Sequence, residues 1–130
     1  MTKTLDLQEC LARWITKATG IKIKVDFLSP DTAVGLVPDP GSHVVDAEMD
    51  GTQHWQYNYA ITMQSNDAEQ VKNTLFAIQN ALSTLTNLQS ENNSFVFERV
   101  DVSSAPAMTL KDIEGTAVYS LDFAVFVYTN

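Results

Sequence analysis

The stretch WQYNYAITMQS, residues 55–65, followed by NDAEQVKNTLFAIQNALSTL, residues 66–85, decides the fold. Large apolar side chains alternate with polar ones from Tyr57 to Met63, which predicts a strand with one buried and one wet face. Behind this strand, apolar residues recur at spacings of 4, 3, 4 and 3, which predicts an amphipathic helix. Its predicted buried positions are Val71, Leu75, Ile78, Leu82 and Leu85. Asn66 is the predicted N-cap, with Glu69 three residues on.

A further helix is predicted upstream, from Leu5 to Ala18, with Gly20 as its stop. Thr4 or Asp6 is the predicted N-cap, and Asp6 forms a capping-box-like pair with Glu9, in which each side chain would satisfy a backbone N–H of the other residue. The predicted buried face carries Leu7, Leu11, Trp14 and Ala18, flanked by Cys10 and Ile15.

The remaining ordered segments alternate as strands do. The predicted strands are 21–27, 33–37, 44–49, 55–64, 95–102, 107–110 and 117–128. Asp50-Gly51 predicts a hairpin between the third and fourth of them. A slip in the apolar phase near Glu98 and Arg99 predicts a bulge in the fifth.

The order of elements predicts an α+β fold. No strand–helix–strand unit recurs in series, so a doubly wound parallel sheet is disfavoured. Most strands have one apolar and one polar face, which favours two main helices packed on one face of a mostly antiparallel or mixed sheet. We therefore predict a two-layer sandwich in a single domain, residues 1–130, and we expect no internal repeat.

Composition excludes several classes of function. Sixteen Asp and Glu against eight Lys and Arg give a net charge of −8, which disfavours binding to nucleic-acid phosphates or to an anionic membrane surface. Cys10 is the single cysteine, so neither an intrachain disulfide nor a thiolate zinc site is expected. Charges interrupt the first twenty residues, so no signal peptide is predicted, which fits a soluble intracellular product.

Charge is distributed unevenly along the chain. Residues 1–24 carry five bases against two acids, whereas residues 25–71 carry eight acids and no base. A solvated acidic face explains this pattern, and so does an electrostatic polarity suited to head-to-tail self-association. On the second interpretation, the predicted interface residues are Lys22, Lys24, Asp46, Glu48, Asp50 and Trp55.

No catalytic signature is present in the sequence. The phosphate-binding glycine motifs, the GxSxG nucleophile motif and the HExxH zinc motif are all missing. His43 and His54 match no common zinc spacing and are expected to be exposed or to cap backbone groups. Asp46 and Glu48 would lie on the same face of a strand, but no apolar pocket is predicted that could raise the pKa of one of them. We therefore expect no catalytic, cofactor-binding or metal-ligating residue.

Residues 55–128 resemble a known family. The strand and helix of residues 55–88 are followed by Ser94-Phe95-Val96-Phe97, by Val102-Ser103-Ser104-Ala105-Pro106, and by Glu114-Gly115-Thr116-Ala117-Val118-Tyr119-Ser120-Leu121-Asp122-Phe123. This succession resembles the small minor capsid proteins encoded in head–tail gene clusters of long-tailed phages (siphoviruses) that infect Gram-positive bacteria, which are in turn similar to tail terminator proteins. Only architectural roles carry over: Gly115 for a turn, Pro106 for a strand end, and Tyr119 and Phe123 for the core.

Tail terminators form hexameric rings that cap the finished tail tube, stop polymerisation of the tube protein and present a surface to the head connector. The resemblance therefore implies a non-enzymatic virion assembly protein without a cofactor. It implies synthesis in the host bacterial cytoplasm and a final location at the head–tail junction of the virion. The implied partners are further copies of the chain, the tail tube protein and the head connector protein, and a neighbouring head-completion role fits as well.

Two other classes remain open. Acidic α/β proteins of this length also act as homodimeric secretion chaperones that hold an extended partner against an exposed sheet. The last predicted element is a strand, however, whereas those chaperones usually finish with a helix. A small-molecule-binding or enzymatic α+β domain is the third class, and no polar constellation in the sequence supports it.

Overall fold

The computed structural model describes residues 5–25, 34–39, 41–65, 67–102, 107–111 and 117–129. These residues form two helices and seven strands. The elements are α1 (Leu7–Thr19), β1 (Lys24–Val25), β2 (Val34–Pro38), β3 (His43–Ala47), β4 (Gln53–Ser65), α2 (Ala68–Thr84), β5 (Val96–Val102), β6 (Ala107–Lys111) and β7 (Ala117–Thr129).

Two long antiparallel strands form the centre of the sheet. β4 and β7 pair along their whole length, from Gln53 opposite Thr129 to Ser65 opposite Ala117. β3 and β2 lie end to end along the other side of β4, while β6 and β5 lie end to end along the other side of β7. β1 adds one short parallel pairing outside β2. The sheet is therefore mixed and almost entirely antiparallel, as predicted.

The sheet contains an internal repeat with an offset of 64 residues. Residues 43–47 and 53–65 match residues 107–111 and 117–129 in both bounds and pairing. Even the irregularities correspond, because the register shifts after Val44 in β3 and after Met108 in β6. The first half is α1-β1-β2-β3-β4 and the second is α2-β5-β6-β7, so β1 has no counterpart among the named strands. A pseudo-two-fold axis relates the halves and passes through the Tyr59–Phe123 pair, at the midpoints of β4 and β7.

The expectation of no internal repeat was wrong. The matching signal in the sequence is short: Glu48-Met49-Asp50-Gly51-Thr52 corresponds to Asp112-Ile113-Glu114-Gly115-Thr116. Ala60 and Ala124 also correspond, as do the aromatic residues Tyr59 and Phe123. The repeat is evident from the shared strand register rather than from residue identity.

Both helices pack on one face of the sheet and share one core with it, which confirms the two-layer α+β sandwich. All five positions predicted for the buried face of the second helix are buried, although Leu85 lies one residue beyond the end of α2. The sheet contributes Tyr59, Ile61, Met63, Leu121, Phe123, Val125 and Val127. Phe123, at 2 % exposure, packs 6.0 Å from the ring of Tyr59, and Tyr119 is partly buried against the same core. Pro106 and Gly115 lie outside the described residues.

The bulge predicted near Glu98 is confirmed by the register shift between Phe97 and Arg99. Gly20 ends α1 in the left-handed conformation at φ 75°, as predicted. The predicted buried face of α1 differs from the observed one by part of a helical turn. Ala12 lies inside and Ala18 is exposed, because the helix also packs against α2 rather than against the sheet alone.

Asp6 occupies the N-cap position of α1, as predicted, and Thr4 lies outside the described residues. The side chain of Asp6 makes no cap hydrogen bond in α1 and instead binds the segment that leads into β5. The cap of α2 is Asp67, whose carboxylate accepts a hydrogen bond from the Gln70 N–H. Asn66 lies outside the described residues. α2 ends at Thr84, where Leu85 takes up an extended conformation, rather than at Leu88 as expected.

Candidate interaction surface

The first candidate surface is the hairpin formed by β3, the turn and the start of β4, residues 43–53, called here the hairpin arm. Its tip closes through two backbone hydrogen bonds, from the Glu48 N–H to the Thr52 carbonyl and from the Gly51 N–H to the Glu48 carbonyl. Gly51 has φ 93°, a conformation that glycine adopts without strain. The Asp50 carboxylate accepts a hydrogen bond from the Thr52 N–H, which lowers the pKa of Asp50.

The hairpin arm exposes apolar and acidic side chains together. Every residue from 41 to 51 is exposed, including Val45 at 47 % and a fully exposed Met49. Val45 is the extra residue of a bulge, because Val44 pairs with Trp55 while Asp46 pairs with His54. Exposed apolar side chains grouped on one hairpin are typical of an interaction site. Glu48 belongs to the turn and not to β3, so the expectation that it shares a strand face with Asp46 was wrong.

The second candidate surface is a groove between α1 and the edge strand β1, called here the α1–β1 groove. It encloses about 450 Å³, and Ala12, Ile23 and Val25 supply its apolar lining. Its other lining residues are Glu9, Arg13, Thr16, Lys17 and Lys22. Arg13 forms an ion pair with Glu91. The groove therefore combines an apolar floor with a rim that is mainly basic.

The structure places the six predicted interface residues in three settings. Lys22 lines the α1–β1 groove, and Lys24 occupies the neighbouring β1 position. Asp46, Glu48 and Asp50 lie on the hairpin arm. Trp55 is half-buried: its ring stacks on Tyr57, with centroids 5.2 Å apart, and its Nε1 donates to the Gln53 side chain. Lys22 and the three acids of the hairpin arm are thus on separate surfaces, and Trp55 belongs to the margin of the core.

A third polar cluster lies on the sheet face opposite the helices. His54 stacks on Tyr128 at 4.6 Å, and its Nε2 lies 2.7 Å from Glu98 Oε2 without the alignment of a hydrogen bond. A hydrogen bond to Glu98, together with burial, raises the pKa of Tyr128. Arg99 lies 3.8 Å from the centroid of the Phe126 ring. The expectation of two exposed histidines holds for His43 but not for His54, whose neighbours are distant in sequence.

A pair of carboxyl groups occupies the same sheet face. Burial raises the pKa of Asp39, and the hydrogen bond and negative charge of Asp122 raise it further. The two groups meet across the small residue Ala60, because Asp39 follows β2 and Asp122 lies on β7. Sequence reasoning missed this pair, since 83 positions separate its members and neither residue carries a motif.

The described residues contain no group of three His, Cys, Asp or Glu side chains that could hold a metal ion. Cys10 is buried, and burial raises the pKa of its thiol, which keeps it protonated. No helix in the described part of the chain is long and apolar enough to cross a membrane. The two surfaces with the clearest chemical character are therefore the hairpin arm and the α1–β1 groove.

Comparison with known proteins does not assign the chain to a family. No family model matches the chain, and no curated protein matches it.

Proposed function

We propose that this chain is a non-enzymatic virion assembly protein, a tail terminator that forms a ring on the end of a phage tail tube and joins it to the head. The observation that carries the proposal is the hairpin arm, on which exposed Val45 and Met49 stand beside Asp46, Glu48 and Asp50. Such an arm adds nothing to the core of its own chain. In a protein that acts through contacts with other subunits, the arm would supply an interface.

The fold and the charge pattern support this proposal. A two-layer α+β sandwich is the architecture that the family resemblance implies, and the acidic hairpin arm and the mainly basic α1–β1 groove are separate surfaces. Separated charges of opposite sign favour head-to-tail contacts between copies. The partners would be further copies of the chain, the tail tube protein and the head connector protein, at the head–tail junction of the virion.

The solution mass across a concentration series provides the first test. Light scattering coupled to size exclusion should detect a species near six times 14.4 kDa. A strict dimer would instead favour a homodimeric chaperone that holds an extended partner against the sheet.

Tube capping provides the second test. Purified tail tubes that have been incubated with the chain should stop elongating and should carry a ring of density at one end in electron micrographs. Tubes that continue to elongate at saturating chain concentration, with no density at either end, would contradict the proposal.

A further inference from the structure

The hairpin arm and the α1–β1 groove are complementary in both charge and polarity. The tip of the arm offers the exposed Met49 between the acids Glu48 and Asp50. The groove offers Ala12, Ile23 and Val25 below a rim that includes Lys17 and Lys22. Among the described residues, neither lysine takes part in an ion pair. An apolar side chain flanked by acids therefore matches an apolar floor flanked by bases.

The two surfaces cannot meet within one chain. β1 pairs with β2 at Gly35 and Leu36, which lie opposite Thr62 and Ile61 of β4. Gln53 and Ile61 are eight positions apart on β4, or about 26 Å at roughly 3.3 Å per residue. The arm tip lies beyond Gln53 and so points away from the groove. A contact between them must therefore join two copies.

The sequence motif of the arm tip recurs in the second half of the chain, but the basic rim of the groove does not. The pattern acid–apolar–acid–Gly–Thr occurs at residues 48–52 and again at residues 112–116, whereas most other positions have diverged between the halves. The basic rim is not repeated: residues 64 positions after Arg13, Lys17 and Lys22 are Ala77, Ala81 and Thr86. The chain therefore carries this acidic sequence motif twice, whereas the basic residues of the groove have no basic counterparts 64 positions on.

We propose that the α1–β1 groove of one copy receives the hairpin-arm tip of a second copy, with Met49 on the apolar floor and Glu48 beside Lys17 and Lys22. This inference rests on the proposed function and specifies the contact between its subunits. A contact between two different surfaces is heterologous, so successive copies form a ring when the rotation closes and a filament when it does not.

Two exposed charge reversals test the contact. The groove variant is Lys17→Glu with Lys22→Glu, and the arm variant is Asp46→Lys with Glu48→Lys, which leaves the Asp50 hydrogen bond to Thr52 in place. Each variant alone should raise the dissociation constant for self-association at low salt by about tenfold or more. An equimolar mixture of the two should restore association, because each then meets a surface of opposite charge.

Matched controls separate this contact from a general effect of charge. Glu69→Lys and Lys72→Glu change exposed residues of α2 and should leave association within about twofold of the parent chain. Asp112→Lys with Glu114→Lys changes the repeated motif of the second half and should also have little effect on self-association. Met49→Ser should weaken association without changing the folded stability of the chain, since Met49 is fully exposed.

Sedimentation of the parent chain and variants distinguishes the outcomes. Loss of association in both single variants with recovery in the mixture supports the contact. Association that is unchanged in either variant overturns it, as does an effect of the second-half variant equal to that of the arm variant. A parent chain that stays monomeric at millimolar concentration and low salt also overturns it, whereas the proposed function is judged separately by tube capping.

Discussion

The carboxylate of Asp6 joins the start of α1 to the segment before β5, more than 80 positions away in the chain. Its Oδ1 accepts hydrogen bonds from the Ser90 and Ser94 hydroxyls, and its Oδ2 accepts from the backbone N–H groups of Glu91 and Asn92. Burial opposes ionisation, but these bonds outweigh it and lower the pKa of Asp6 from 3.8 to about 2. The ionised form of Asp6 therefore stabilises the folded chain.

Replacing Asp6 with Asn should lower the free energy of unfolding at neutral pH by about 1–2 kcal/mol, allowing for solvent screening of a partly exposed group. A depressed pKa stabilises the fold fully above the unfolded value of 3.8, and this stabilisation is lost as pH falls towards 2. Urea denaturation should therefore give a difference between parent and variant that shrinks across this window.

Glu9→Gln is the control for the Asp6 variant, because Glu9 was the other half of the expected capping box and is exposed. Its unfolding free energy should stay within about 0.5 kcal/mol of the parent value. A Glu9 effect as large as that of Asp6 would show that the carboxylates act through the helix dipole and not through the bonds to residues 90–94.

At the scale of elements, α2 was predicted well because its information is local. The 4-3-4-3 spacing of apolar residues identifies its buried face without reference to the rest of the chain. Local patterns do not predict contacts between residues far apart in the sequence. Examples are the bonds of Asp6 to residues 90–94, the Asp39–Asp122 pair and the contact of His54 with Glu98. Each depends on residues that only the sheet register or helix packing brings together. The repeat was missed for the same reason, since its halves share register more than sequence.

Two neighbouring residues of α2 give a direct test of its packing. Leu75 is fully buried, whereas Phe76 is 46 % exposed. Leu75→Ala leaves a cavity in the shared core and should lower the unfolding free energy by about 2–5 kcal/mol. Phe76→Ala should lower the unfolding free energy by less than about 1 kcal/mol, although it removes the larger side chain. Equal losses in urea denaturation would contradict the assigned orientation of the helix.

At the scale of the whole molecule, the repeat explains why the sheet has its longest pairing at the centre. β4 and β7 come from different halves and pair over 13 residues each, while β2, β3, β5 and β6 each pair with only part of one of them. The two helices also come from different halves and share one hydrophobic cluster. Neither half has a core of its own, although each has a complete set of elements.

The shared core predicts that the two halves unfold together. Amides near the midpoints of β4 and β7, around Tyr59 and Phe123, should exchange hydrogen only through global unfolding, because strands flank both sides of each. Amides of β3 should exchange much faster, since every β3 residue is exposed and we expect this edge strand to open locally. Native-state hydrogen exchange followed by NMR in low concentrations of urea measures both. If the halves unfolded separately, the amides of α1–β4 and the amides of α2–β7 would converge on two different opening free energies. The internal repeat would then consist of two independently stable modules and not of one sandwich with a shared core.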